Sequence, residues 1–141
     1  MKSLKILGVL FLLNILLTSC GSGSKVAVAL QGNTWKLVKV IDQKVPASSK
    51  AQIVFNANLS VNGSSGVNRF VGQYKLSDST GLSFSPLAST KMASLSAEDS
   101  AIEDKFFQAI SQTKKYTIKG QQLTFLNEKG KTVAVFQATA K

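Results

Sequence analysis

Residues 63–74 read GSSGVNRFVGQY and predict a turn that leads into a half-buried β-strand. Gly63 and Gly66 suit a tight turn or bulge with positive φ, because glycine has no Cβ to clash with the backbone. Asn68 can hydrogen-bond the backbone of its own loop. Gly72, inside the strand, predicts a bulge or a close backbone contact. The segment therefore favours turn and core architecture over a ligand site.

Short alternating segments lie on both sides of this turn. In residues 69–76 every second residue falls on one face, which is the period of a strand with one buried side. The same period in residues 35–40 predicts one face formed by Trp35, Leu37 and Lys39. Further strand-like segments are residues 51–55, 59–62, 82–84, 115–119, 122–126 and 131–137. Gly120-Gln121 joins two of them as a hairpin, so the pattern predicts a mostly antiparallel sheet.

One segment has helical spacing instead. Ser96-Ala97-Glu98-Asp99 resembles a capping box with Asp in place of Glu. Apolar residues then follow at helical intervals, namely Ile102, Phe106, Ala109 and Ile110. Acidic residues come early and Lys114 and Lys115 come late, which suits the helix dipole. We therefore predict one amphipathic helix, about residues 97–112, packed against the sheet in an α+β fold.

Residues 63–74 resemble the G-x-x-G-C-N-x-F-x-G-x-Y signature of the META/HslJ domain family. Four further segments resemble the same family in the same order: residues 34–37, residues 89–93, Glu103 with Phe106 and Phe107, and residues 116–125. The resemblance covers about residues 30–137. It implies an α+β fold in which a small antiparallel sheet curves into an incomplete barrel and one α-helix packs against it.

The sequence departs from the family pattern at two positions. Many members carry cysteines where this chain has Val67 and Ser94, so the disulfide that the resemblance would suggest is absent. We expect the packing of Val67 to substitute for that link. No catalytic residues are established for the family, so the resemblance implies no enzyme activity, no cofactor and no metal site.

Residues 1–19 predict a lipoprotein signal peptide. Lys2 and Lys5 precede an apolar run, residues 6–17, that is shorter than the ~20 residues of a membrane-spanning helix. Residues 17–20, LTSC, resemble the lipobox of bacterial lipoproteins, which implies cleavage before Cys20 and lipid attachment to its thiol. The alternative is a cleaved signal peptide in which Cys20 is incidental.

This interpretation divides the chain into three parts: the signal peptide, residues 1–19; an acylated N-terminus with a flexible tether, residues 20–29; and a META/HslJ-like domain, residues 30–141. A protein held by two acyl chains stays on a membrane. We expect the protein in the cell envelope, anchored through the lipid on Cys20 to the outer membrane and facing the periplasm.

The composition excludes several kinds of site. The chain has 17 Lys and Arg, 7 Asp and Glu, no His and one Cys, with a net charge of +10. Without His, and with a single Cys, it forms neither the usual zinc site nor an intramolecular disulfide. The basic charge would suit anionic lipid headgroups. Nucleic acid would suit it too, but the bases are scattered and the export signal argues against a nucleic-acid partner.

The sequence predicts a non-enzymatic envelope lipoprotein that acts as an accessory or interaction module in stress tolerance or assembly. Its expected partners are the membrane, through Cys20, and an unidentified envelope protein or hydrophobic ligand. Most aromatic side chains are expected to fill the core. An incomplete barrel would alternatively leave a groove that binds lipid or a hydrophobic peptide, as in pilot lipoproteins. A hydrolase is disfavoured, because the S-x-x-K pairs Ser22/Lys25 and Ser111/Lys114 lack their partner motifs.

Overall fold

The computed structural model describes residues 29–139. Cys20, the predicted signal peptide and all of the predicted tether except Ala29 lie outside the described residues. The strands are β1 (Thr34–Val40), β2 (Gln43–Lys44), β3 (Gln52–Phe55), β4 (Ser60–Ser64), β5 (Arg69–Ser77), β6 (Gly81–Phe84), β7 (Ala88–Ser89), β8 (Lys115–Lys119), β9 (Gln122–Leu126) and β10 (Thr132–Thr139). The helix α1 (Ala97–Gln112) lies between β7 and β8. In the part of the chain that is described, no helix has the length and apolar character needed to span a membrane.

Eight of the strands form a closed antiparallel barrel, in the order β1, β3, β4, β5, β6, β8, β9 and β10. The expected incomplete barrel is wrong, because β10 pairs with β1 along a ladder that runs from Thr34 opposite Thr139 to Val40 opposite Ala134. Closure gives partners to the backbone N–H and C=O groups that two open sheet edges would leave unpaired. The two short strands attach to the outside of this ring, β2 to β1 and β7 to β5.

The alternation predicted for β1 holds only as far as Leu37. Trp35 and Leu37 are buried, but the next buried residue is Val40, and Lys39 is exposed. The β1–β10 register shifts between Leu37 and Lys39, so Val38 is the extra residue of a β-bulge. The prediction that Lys39 shares a face with Trp35 is therefore wrong, because the bulge reverses the phase of the strand.

The alternation predicted for β5 is confirmed. Phe70 and Tyr74 are buried, Gly72 and Leu76 are half-buried, and the residues between them are exposed. Gly72 has a close neighbour, but the contact is with a side chain and not with backbone as predicted: a Cβ built there would lie 2.3 Å from the Cδ2 atom of Leu87. A side chain at this position would displace the end of the Leu87 side chain.

The barrel interior is filled with side chains. The described core runs from Leu30 to Phe136 and includes buried residues of α1. The prediction that aromatic residues fill it is confirmed for most of them, and their rings pack closely: the centroids of Phe125 and Phe136 are 4.8 Å apart. Residues 29–139 therefore contain a hydrophobic core and a closed sheet of their own.

The helix has the predicted extent and buries the predicted face. The Ser96 side chain accepts a hydrogen bond from the backbone N–H of Asp99 at 3.2 Å, which confirms the N-cap. The four apolar residues expected to face the core are buried. The predicted pairing of late bases with the helix dipole is wrong, since the last turn contains no basic residue and Lys114 follows the C-cap residue Thr113.

Candidate functional site

The signature segment is held by a network of polar groups that we call the clasp: the side chains of Ser65, Asn68, Thr90 and Glu103 and the backbone of Met92. Glu103 projects from α1 toward the β4–β5 loop. Its carboxylate accepts hydrogen bonds from the Ser65 hydroxyl, from the Asn68 backbone N–H at 2.9 Å and from Asn68 Nδ2 at 2.8 Å. One acidic side chain therefore fixes the loop to the helix.

Asn68 extends the clasp to the segment after β7. Its Nδ2 also donates to the Met92 carbonyl at 3.2 Å, and its Oδ1 accepts from the Met92 N–H at 2.7 Å and from the Thr90 hydroxyl at 2.8 Å. The prediction that the Asn68 side chain bonds its own loop is wrong, since these partners are distant in sequence. The buried amide joins three separate segments.

The clasp also lowers the pKa of the Glu103 carboxyl. Burial acts to raise the pKa of this carboxyl, but the hydrogen bonds from Ser65 and Asn68 together outweigh it and hold the pKa below its ordinary value of 4.5. Because Ser65 and Asn68 donate to a charged carboxylate, the deprotonated form suits the site. The three donors engage both carboxylate oxygens, so the geometry indicates a structural role.

Three further expectations concern two glycines and a valine of the signature segment: Gly63, Gly66 and Val67. Gly66 has the predicted positive φ, 114°. Gly63 needs glycine for another reason, because a Cβ there would lie 2.1 Å from the carbonyl oxygen of Gln52 on β3. Val67 is half-buried and outside the described core, so the expectation that its packing replaces the disulfide is wrong. The clasp, and not Val67, joins the β4–β5 loop to the segment after β7, where the two cysteines of other family members would lie.

A basic cleft lies on the opposite side of the same loop. It has a volume of about 760 Å³ and is lined by Lys36, Ser48, Ser49, Lys50, Gln52, Asn62, Gly63, Ser64, Gly66, Val67 and Arg69. Its floor includes a cross-strand row on β1, β3, β4 and β5, in which Lys36 pairs with Gln52, Gln52 with Ser64 and Ser64 with Arg69. Three cations thus face one cleft, and no carboxylate is among the described residues that line it.

The cations of the basic cleft have few partners. Lys36 Nζ donates to the Ala47 carbonyl at 2.6 Å, which holds its ammonium group at the rim. Within residues 29–139 the structure shows one ion pair, between Lys105 and Asp42 at 2.9 Å, so neither Lys50 nor Arg69 is paired with a described carboxylate. The cleft therefore combines unneutralised positive charge with hydroxyl and amide groups.

An apolar groove adjoins the cleft along β1. It has a volume of about 590 Å³ and is lined by Lys36, Leu37, Val38, Lys44, Val45, Pro46, Ala47, Gln137 and Thr139. Because Leu37 and Val45 are buried, its accessible apolar surface comes from Val38, Pro46 and Ala47. Lys36 lines both hollows, so its side chain stands between them. The bulge at Val38 places this residue beside the β2 segment, where its carbonyl accepts from the Val45 N–H at 3.0 Å.

The other predicted sites have different outcomes. Cys20 lies outside the described residues, and the open edge that was expected to form a groove is closed by β1 and β10. The Ser111 hydroxyl donates to the Gln108 carbonyl at 2.8 Å within the helix. Among residues 29–139 no group of three or more metal-ligating side chains comes together. Sequence reasoning missed the basic cleft, although the outward positions of its residues follow from strand alternation once the register is known.

Comparison with known proteins gives a family and a fold. The chain is similar to a protein from Burkholderia xenovorans solved by NMR, with a TM-score of 0.66 and 22% identity over 83% of this chain and 88% of that one. It is also similar to a DUF4847 family protein from Bacteroides vulgatus, with a TM-score of 0.59 and 15% identity over 82% and 99% of the two chains. No curated protein matches it. The model of the META domain matches residues 28–140, and the chain therefore belongs to the META domain family.

Proposed function

We propose that this META-family protein is a non-enzymatic envelope lipoprotein, held at the outer membrane by lipid on Cys20. Its barrel serves as an accessory or interaction module in envelope assembly or stress tolerance. The observation that carries the proposal is the N-terminal sequence, in which a basic start, a twelve-residue apolar run and LTSC precede the domain. That order is typical of an exported protein that is lipidated at its first mature residue.

The domain supports a role in binding more than one in catalysis. The barrel interior is occupied by core side chains, and the polar residues of the signature segment are engaged in the clasp. What the domain offers to other molecules is its outer surface, where the basic cleft and the apolar groove are open. A surface of this kind suits an accessory protein that holds a partner near the membrane.

The anchor is tested by replacing Cys20. We expect no incorporation of radiolabelled palmitate into the Cys20→Ala variant. We also expect this variant to be released from membranes without detergent, whereas the wild-type protein needs detergent. Ser22→Ala is the matched control, because it changes a neighbouring small residue and leaves the lipobox intact. Labelling that persists in Cys20→Ala would overturn the anchor.

The envelope role is tested in a strain that lacks the protein. We expect greater permeability to a large hydrophobic antibiotic, restored by the wild-type chain and not by a chain without residues 1–19. Full restoration by the chain that lacks residues 1–19 would show that the protein acts without export, and would contradict the proposed location.

A further inference from the structure

We infer that the outer wall of β1 binds an anionic amphiphile, with a phosphate headgroup in the basic cleft and an alkyl chain in the apolar groove. This inference concerns the ligand of the barrel itself. It does not depend on lipid at Cys20, because both hollows are formed by residues of the described domain.

The headgroup site follows from charge and from unused donors. A lysine ammonium has three N–H donors, and Lys36 uses one of them on the Ala47 carbonyl. The fixed ammonium therefore keeps donors for a ligand, and Arg69 offers a guanidinium fork that matches phosphate oxygens. The nearest acidic group in the loop network, Glu103, has its oxygens engaged by Ser65 and Asn68 on the other side of the loop.

The chain site follows from the adjoining groove. Its accessible walls at Val38, Pro46 and Ala47 are apolar, and it meets the basic cleft at Lys36. A ligand that crosses the Lys36 side chain would place a charged end on one side and an apolar end on the other. Lysine suits this boundary, because its methylene stem packs against apolar groups while its ammonium reaches a polar one.

The sheet beneath the cleft favours an amphiphile over a peptide. An extended peptide commonly binds by adding a strand to an exposed sheet edge. The strands under the cleft have neighbours on both sides, since β1 pairs with β3 and β10, β3 with β4, and β4 with β5. Recognition at this wall is therefore left to side chains, and the side chains present suit a small anion with an apolar tail.

The experiment measures the binding of n-alkyl phosphates by isothermal titration calorimetry, with chains of four to ten carbons kept below their micelle concentrations. It uses residues 21–141, which contain the core and the closed sheet described above. Inorganic phosphate is the reference. We expect affinity to rise by up to about fourfold for each added methylene and then to level off when the groove is full.

Two variants separate the two ends of the ligand. We expect the combined change Lys36→Gln, Lys50→Gln and Arg69→Gln to weaken every alkyl phosphate by at least about tenfold. The control, Lys75→Gln with Lys115→Gln and Lys119→Gln, removes the same charge from exposed positions outside both hollows and should bind normally. Val38→Thr keeps the β-branched shape and should reduce the gain per methylene while leaving the affinity for inorganic phosphate unchanged.

Three results would overturn the inference. The first is equal binding of inorganic phosphate and the longest alkyl phosphate. The second is equal weakening by the cleft variant and its control, since binding would then depend on net charge alone. The third is binding to an acidic peptide of the same charge without binding to any alkyl phosphate. Circular dichroism melts of each variant identify any loss of binding that comes from unfolding.

Discussion

The two sides of the β4–β5 loop show opposite uses of polar side chains. On the side of the clasp, the Glu103 carboxylate and the Asn68 amide are saturated with protein partners. On the side of the basic cleft, Lys50 and Arg69 face solvent and have no described carboxylate as a partner. A saturated buried network stabilises a fold, whereas unpartnered surface groups contribute little to stability and remain available to a ligand. The difference shows two roles within one signature segment: Ser65 and Asn68 hold the loop to the helix, while Arg69 lines the cleft that we propose as a binding site.

The largest expected effect concerns the wall shared by the core and the basic cleft. Trp35 lies on the inner face of β1, next in sequence to Lys36, and it is 1% exposed with its indole N–H donating to the Leu30 carbonyl at 2.8 Å. We expect Trp35→Ala to cost about 3–5 kcal/mol of unfolding free energy. Denaturant unfolding followed by circular dichroism measures it.

Lys36→Gln is the matched change on the outer face and should alter the stability by less than about 0.5 kcal/mol. An unfolding midpoint unchanged by Trp35→Ala would mean that the inner face of β1 is not a core wall.

The next effect compares two asparagines on opposite sides of the loop. Asn68 is 4% exposed and joins Glu103 to the segment after β7, whereas Asn62 is exposed and lines the cleft. We expect Asn68→Ala to cost about 2–3 kcal/mol, because it leaves several buried polar groups without partners. Asn62→Ala should cost less than about 0.5 kcal/mol.

Thermal melts of both variants measure these losses of stability. Equal losses for Asn68→Ala and Asn62→Ala would remove the distinction between a structural and a binding face.

The smallest effect is the pH dependence of the clasp. Because the folded protein holds the pKa of Glu103 below 4.5, this group stabilises the fold above that pH, and the contribution is lost as pH falls through the folded pKa. We expect Glu103→Gln to cost about 1–2 kcal/mol at pH 7, with the gap to the wild type shrinking below pH 4.5.

Urea unfolding at pH 7, 5 and 3 measures that gap. Glu98→Gln, at the exposed start of α1, is the control and should show no comparable convergence. A gap that stays constant with pH would mean that the Glu103 charge does not stabilise the clasp.

Local patterns predicted the elements, and contacts distant in sequence determined the rest. The helix could be predicted because Ser96 and the spacing of Ile102, Phe106 and Ile110 are all local. Barrel closure could not, because it depends on pairing between β1 and β10, at opposite ends of the domain. The bulge at Val38 has no mark in its own residues, and it lies where the neighbour of β1 opposite β10 changes from β3 to β2.

The candidate site shows the same limit. The sequence singled out both the segment of Asn68 and Glu103 as family features, but it did not show that these two side chains, 35 positions apart, are hydrogen-bond partners. Lys36, Lys50 and Arg69 are separated along the chain and line one cleft only once the four strands are aligned. An alternating strand shows which side chains point outward, but their neighbours follow from register alone. The sequence alone therefore could not show that these three cations line the basic cleft.

The pairing of β1 with β10 also determines how the domain bears a mechanical load. Thr34, where β1 begins, pairs with Thr139 on one side and with Val54 on the other. In antiparallel sheets the interstrand hydrogen bonds lie perpendicular to the strands. A pull on the N-terminal segment along the direction of β1 therefore loads two ladders in shear at once. An edge strand would be peeled from one neighbour bond by bond, whereas β1 is held by a hydrogen-bond ladder on each side.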